Sequence, residues 1–327
     1  MDVEILTARE VPLGGIRAMT VRRTIPQMRR SLIGAWCFAD HYGPDDVAVT
    51  GGMDVPPHPH IGLQTVSWLF EGEIAHIDSG GHRGAVLPGE INLMTAGEGI
   101  AHSETSSADT RILHGVQLWL ALPEQHRRSA PRAFEHHAPP ETLFEGGSAL
   151  VFIGSLLGEV SPVAVHTPLV GAELRLDPGA QVELPVDPAF EHGLLVDCGE
   201  IDLEGTPVPR GALGYTGIGA RTLHVRNVGG HAARMILLGG APFEEDIIMW
   251  WNFVGRTSEE VHRARQDWED AAVRAARFGE VSGYRGPARI PAPAIPQLTL
   301  RARRNPPPRA GASVAEGSVA EGSGSLG

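Results

Sequence analysis

Glycine and proline set the limits of this chain: 41 glycines and 26 prolines are spread through 327 residues, so apolar stretches stay short and turn signals recur between them. That punctuation suits short strands joined by tight turns and leaves little room for long helices. Gln64 to Phe70 reads as a strand, followed by the turn Glu71-Gly72-Glu73 and a second strand from Ile74 to Ile77. Leu87-Pro88-Gly89-Glu90 introduces Ile91 to Met94, and Leu113 to Leu120 alternates as a half-buried strand does. From Glu124 to Gly147 the chain turns polar and rich in His and Pro, which suits a domain linker.

Strands resume at Leu150 to Leu156. Glu173 to Leu176 and Gln181 to Leu184 flank Asp177-Pro178-Gly179 and read as a hairpin. Leu194 to Asp197, Leu223 to Val228 and Arg234 to Leu238 continue the series. The halves echo one another: Trp68 to Ile74 resembles Leu195 to Ile201, and Leu87 to Glu90 resembles Val208 to Ala212. The fold class expected is all-β, with two small antiparallel barrels that close many short strands without exposed edges. One helix is expected over 258–278, opened by Thr257-Ser258-Glu259-Glu260 and striped by Val261, Ala264, Trp268, Ala271, Ala275 and Phe278, docked on its own barrel. The resulting division is 1–145, 146–286 with the helix, and a Pro/Gly/Ser-rich tail over 287–327 expected to be disordered.

The chemistry concentrates in histidine. His58-Pro59-His60 and His102-Ser103-Glu104 are i, i+2 pairs in strand-like surroundings, so each pair points two ligating groups to one face. If the two strands meet, three imidazoles and one carboxylate share a pocket, a donor set suited to Fe(II), Mn, Ni, Cu or Zn. Five residues separate Gly52 from His58, and five separate Gly89 from Thr95-x-Gly97. This spacing resembles the two-part cupin signature, with Gln64 where that signature has a carboxylate. His41, His76, His82 and the pair His136-His137 read as structural or surface histidines.

The likeness then narrows to one family. His58 to Val66, His-Pro-His-Ile-Gly-Leu-Gln-Thr-Val, resembles the pirin segment HPHRGFETV, and Met94 to Glu104 resembles its MTAGRGIxHSE. Phe38 to Pro44, Leu237 to Pro242 and Trp251 to Val254 resemble the family's FxDHFGP, LLGGEP and WNFV segments. The departures are Ile61 for Arg, Leu63 for Phe, Gln64 for Glu and Glu98 for Arg. The resemblance implies a bicupin with one iron in its first barrel, held by His58, His60, His102 and Glu104, and a second barrel without metal. It also implies flavonol cleavage of the quercetin 2,3-dioxygenase type, with Glu104 as metal-bound base and a phenolic substrate and O₂ as partners. A non-enzymatic, redox-responsive regulator binding a protein partner is the alternative; metal storage ranks below both.

Charge and cysteine usage exclude other classes. With 27 basic residues, all Arg, against 39 acidic ones, the net charge of −12 disfavours phosphate backbones, so direct nucleic-acid binding is not expected. Cys37 and Cys198 lie far apart without CxxC partners, which fits small buried residues in a reducing cytoplasm. No apolar run reaches the ~18 residues of a membrane span, and Met1 to Val21 lacks the apolar core of a secretory signal.

Overall fold

The computed structural model describes residues 1–13, 19–295 and 299–305. The first barrel faces a seven-stranded sheet against a four-stranded one, all antiparallel. The large sheet runs Ala133–His137, Ile91–Thr95, Leu63–Glu71, Ile112–Ala121, Trp36–Asp46, Thr20–Ile25, Arg9–Pro12, and the small one Asp54–His60, Ile100–Ser106, Ile74–Asp78, Arg83–Val86. The second barrel repeats the plan. Its large sheet runs Glu4–Leu6, Leu213–Thr216, Glu191–Cys198, Ala233–Gly240, Leu169–Leu176, Gly147–Ile153, Glu141–Phe144, and its small sheet Gln181–Pro185, Thr222–Asn227, Ile201–Leu203, Thr206–Val208. The sequence echo therefore marks equivalent turns. Gly72 (φ +93°) and Gly199 (φ +92°) both sit in the left-handed region, and a Cβ on either would lie within 2.5 Å of a neighbouring strand.

The two large sheets pack face to face, so their central strands are buried on both sides. Along Ile112–Ala121, Val116, Leu118 and Leu120 enter the inter-barrel core, while Gln117 and Trp119 point the other way, into the first barrel. Trp36 and Trp68 fill this interface beside Phe152; Trp36 Nε1 donates to the Val170 and Gly239 carbonyls, and Trp68 Nε1 donates to Glu173 Oε2 at 2.7 Å. Truncating one such aromatic costs about 3–5 kcal/mol, so the barrels stabilise one another. The N-terminal strand Glu4–Leu6 strengthens the union by pairing with Leu213–Thr216 of the second barrel.

A polar clasp crosses the same interface. His41 Nε2 and His114 Nε2, from the first barrel, lie 2.7 and 2.6 Å from Asp197 Oδ1, while Arg234 donates to Asp197 Oδ2. Burial opposes ionisation of Asp197, but the hydrogen bonds from His114 and His41 and the charge of Arg234 outweigh it and hold the carboxyl well below its ordinary value.

Several local expectations change. Leu169–Leu176 and Gln181–Pro185 do not pair as a hairpin: the first is flanked by Gly147–Ile153 and Ala233–Gly240, which saturate both its edges, so the turn carries the chain to the other sheet. The polar stretch after Glu124 contains two edge strands, Ala133–His137 and Glu141–Phe144, one on each barrel. The helix is two, Ser258–Glu269 and Ala271–Arg277, broken at Asp270, whose side chain caps the second. Of its expected stripe, Val261, Ala264, Trp268 and Phe278 pack with Ile61 and Ala101 of the first barrel, not on the second, while Ala271 and Ala275 are exposed. Residues 287–295 and 299–305, part of the stretch expected to be disordered, lie against the body. Ile290 N donates to Pro57 O, Ala292 N to Glu269, and Asn305 Oδ1 accepts from Ser31 N and Leu32 N. Residues 306–327 of that stretch fall outside the described residues. Among the described residues no helix is long and apolar enough to cross a membrane.

Asp197→Ala leaves the partly exposed Arg234 and the buried His41 and His114 without their common acceptor and should lower stability by about 1–3 kcal/mol, measured by urea unfolding at pH 7. Because the folded-state pKa is depressed, the stabilisation is fully present above the unfolded value of about 3.9 and is lost as pH falls below it. The gap between parent and variant should therefore narrow at pH 3.

Candidate metal centre

Asp54–His60 carries three prolines, Pro56, Pro57 and Pro59, and lies at the edge of its sheet, where missing N–H groups do no harm. It pairs with Ile100–Ser106 so that His58 stands opposite His102, and the register slips between His102 and Glu104. The slip puts an extra residue on the proline-rich strand, a bulge that lets the Pro56 carbonyl meet the His58 ring, 3.0 Å from Nδ1. On its other side Ile100–Ser106 pairs with Ile74–Asp78, which sets His76 opposite Glu104. One central strand thus draws histidines from both neighbours.

The hydrogen bonds assign the protons. A carbonyl only accepts, so His58 carries its proton on Nδ1 and keeps a lone pair on Nε2. Asp78 remains ionised: burial opposes this, but the bonds from His76 and the His82 backbone lower its carboxyl pKa. His76 Nε2 therefore donates toward Asp78 Oδ2 at 3.4 Å, and its Nδ1 accepts from His102 Nδ1 at 3.3 Å. That leaves His102 Nε2 as a lone pair, 3.0 Å from His60 Nε2. If His60 protonates Nε2, the pair is a hydrogen bond but its buried Nδ1 stays unsatisfied beside the Asn252 backbone; if it protonates Nδ1, two lone pairs face each other. A cation held by both removes that repulsion, and 3.0 Å suits two nitrogens each about 2.1 Å from one ion.

Ligating nitrogens of His58, His60 and His102 all lie within 4.8 Å of one another. Burial, reinforced by the neighbouring imidazoles, lowers the pKa of all three, that of His58 to about 4, so they are neutral and available to a metal at pH 7. The donor chemistry fits a transition metal.

Glu104 stands to one side of this triad. It forms a second group within 4.8 Å with His76 and His102. Ser67 has one proton to give and lies 2.9 Å from Gln117 Oε1 but 3.3 Å from Glu104 Oε1, so the carboxylate is weakly held. Burial raises its pKa. The Tyr42 hydroxyl is buried in the same barrel without a partner, its pKa raised by burial and then by the Glu104 charge. Gln64 turns away from the cluster, donating to Thr95 Oγ1 and the Ala164 carbonyl, so the position acidic in the general cupin signature serves the inter-barrel face instead.

His76, expected at the surface, is 3% exposed, and its ring stacks on Phe134. The available signal was phase, since Ile74 faces inward and His76 follows it by two. His41, expected to make a structural hydrogen bond, makes it to Asp197 and is joined there by His114. That group also lies within ligand reach, but Arg234 and Arg22 crowd it with positive charge and both histidines aim at one oxygen. His224 faces solvent and pairs with Glu204, outside the second barrel.

The sequence matches the pirin family over residues 17–120 and the pirin C-terminal cupin domain over residues 171–274. It is 44% identical over 292 residues to a "putative quercetin 2,3-dioxygenase" of Pseudomonas aeruginosa, covering 89% of this chain and 90% of that one. A pirin-like protein of Caulobacter vibrioides is 33% identical over 81% of this chain and 92% of its own. The crystal structure of a quercetin 2,3-dioxygenase from Acinetobacter baumannii superposes with a TM-score of 0.85 at 37% identity, covering 92% of this chain and 97% of that one. With the two barrels and the shared motifs, these matches establish that the chain belongs to the pirin family.

Proposed function

We propose that this protein is a metal-dependent dioxygenase cleaving flavonols of the quercetin type. The reading rests above all on three neutral imidazoles converging beside a weakly held buried carboxylate, and the names of its relatives support it. His58, His60 and His102 would hold the metal, Fe(II) by preference, with Glu104 as the carboxylate donor beside them. When bound, the metal would supply Lewis acidity that lowers the pKa of the flavonol hydroxyl and make the substrate electron-rich enough to react with O₂.

The chain's own side chains supply the rest. Glu104 accepts the hydroxyl proton at Oε1 or Oε2, since its raised pKa and single long hydrogen bond favour taking one up. Trp119 stacks on Phe38 at 4.1 Å and meets the His60 ring at 5.2 Å, giving a flat apolar wall for a planar polyphenol. The Asp78–His76 pair fixes the tautomer of His102. Free Cys37 and Cys198 support a cytoplasmic setting.

Protein loaded with Fe(II) without oxygen and then given quercetin in air should bleach the flavonol absorbance and release CO; neither occurring at stoichiometric enzyme would refute the activity. Glu104→Gln should retain at least half the metal yet lose about 10²-fold or more in turnover, compared by metal analysis and kcat on the same preparation. His76→Leu frees the His102 tautomer and should weaken metal affinity about 10–100-fold, read by chelator competition against a His102→Ala control that loses the metal outright.

A further inference from the structure

The mouth of the second barrel holds a pocket of about 740 Å³ between the short hairpin Ser155–Val160 and the loop after Pro185. Its walls are mainly apolar, with Leu156, Val163, Val170, Val186 and Phe190 among them. Small-molecule sites fall in this size range and are lined this way, with few polar groups. Val160, on the rim, is 73% exposed, an apolar side chain turned to solvent where a ligand would enter.

Among the polar side chains of the pocket wall, His192 stands out. It is 1% exposed, and neither Nδ1 nor Nε2 has a hydrogen-bond partner. Directly opposite on the neighbouring strand, the Thr216 hydroxyl is also buried and unpartnered. Space for the imidazole is provided: a Cβ on Gly239 would lie 2.8 Å from His192 Cδ2. An unmet donor or acceptor costs about 1–3 kcal/mol, so the two His192 nitrogens mark a place on the pocket wall where a ligand's polar group gains on binding.

We infer that this pocket is a second ligand site, for a small neutral aromatic molecule whose hydroxyl hydrogen-bonds His192. The charge state decides the class. Burial lowers the His192 pKa to about 4, so at pH 7 the ring is neutral, with one donor and one acceptor nitrogen. Asp187, the nearby carboxylate, lines the same pocket and repels an anionic head. A phenol hydroxyl can donate to or accept from the ring and carries no charge; a carboxylate can only accept and meets the Asp187 charge. The site shares no residue with the first barrel's cluster and stands whether or not that cluster cleaves flavonols.

The probes are 2-naphthol and 2-naphthoate, titrated into the full-length protein with ¹⁵N-labelled histidine. Addition of 2-naphthol should shift the His192 ring resonances, in the parent and equally in a His102→Ala variant. 2-Naphthoate should bind at least tenfold more weakly. His192→Leu should weaken 2-naphthol at least tenfold, and Val160→Trp, a change at an exposed rim position, should block it without touching the barrel core. No shift at His192 up to millimolar 2-naphthol, or equal affinity in parent, His192→Leu and Val160→Trp, would overturn the assignment.

Discussion

The contact between His102 Nδ1 and His76 Nδ1 governs what the first barrel can hold. It determines which nitrogen of His102 faces His60, and it exists because Ile100–Ser106 is an inner strand of its sheet, paired on both edges. Were that strand at the edge, His58 and His60 would still meet His102, but nothing would orient its ring. Asp78 completes the chain of proton assignments from a carboxylate through two imidazoles. The cost is three buried imidazoles kept neutral, a state that suits ligation and makes the cluster a poor charged core.

The first barrel's polar interior is tolerable because its other face is sealed. The inter-barrel core buries the outer side of the strands that carry Ser67 and Gln117 on their inner side. The two faces of each of these strands thus divide the work, with Trp68 and Val116 stabilising the pair of barrels and Ser67 and Gln117 on the side of Glu104. The second barrel has the same strand order but a different phase on its small sheet. There Glu183 and His224 pair as His58 and His102 do, yet both face solvent. The same topology therefore presents imidazoles inward in one barrel and outward in the other.

How much was legible follows from how local each signal is. His58, His60 and His102 were readable because period-two spacing survives in any strand, and the flanking motifs fixed their company. Glu104 was readable in place but not in its distance from the His58 side, because the bulge at Pro56-Pro57 is a matter of pairing. His76 was lost for the same reason: nothing local says which strand lies beside Ile100–Ser106. The Asp177-Pro178-Gly179 turn looks alike whether the next strand returns to its neighbour or crosses to the facing sheet. Residues 287–295 and 299–305 gave no core signal because scattered contacts hold them, such as the Ile290 carbonyl accepting from Trp268 Nε1 and Arg289 pairing with Glu269.

The departures from the pirin segments make sense beside that returning C-terminal stretch. Ile61, where the family segment has Arg, is 3% exposed under Phe253, Val261, Ala264 and Trp268. Isoleucine there joins the apolar cluster under the helices, at the edge of the cleft that Glu98, Glu259 and Glu260 line. Glu98, the other exchanged arginine, has its backbone carbonyl engaged by Arg277, and both residues line a charged cleft with Arg127 and Glu260. An arginine at 98 would add positive charge to a cleft that already has four arginines. The covering segment also runs through Asn252, whose backbone lies beside His60, and through Phe253, which bridges Ile61. Ile61 and Glu98 thus both lie against the C-terminal covering elements, Ile61 under the apolar cluster and Glu98 held by Arg277, outside the imidazole cluster.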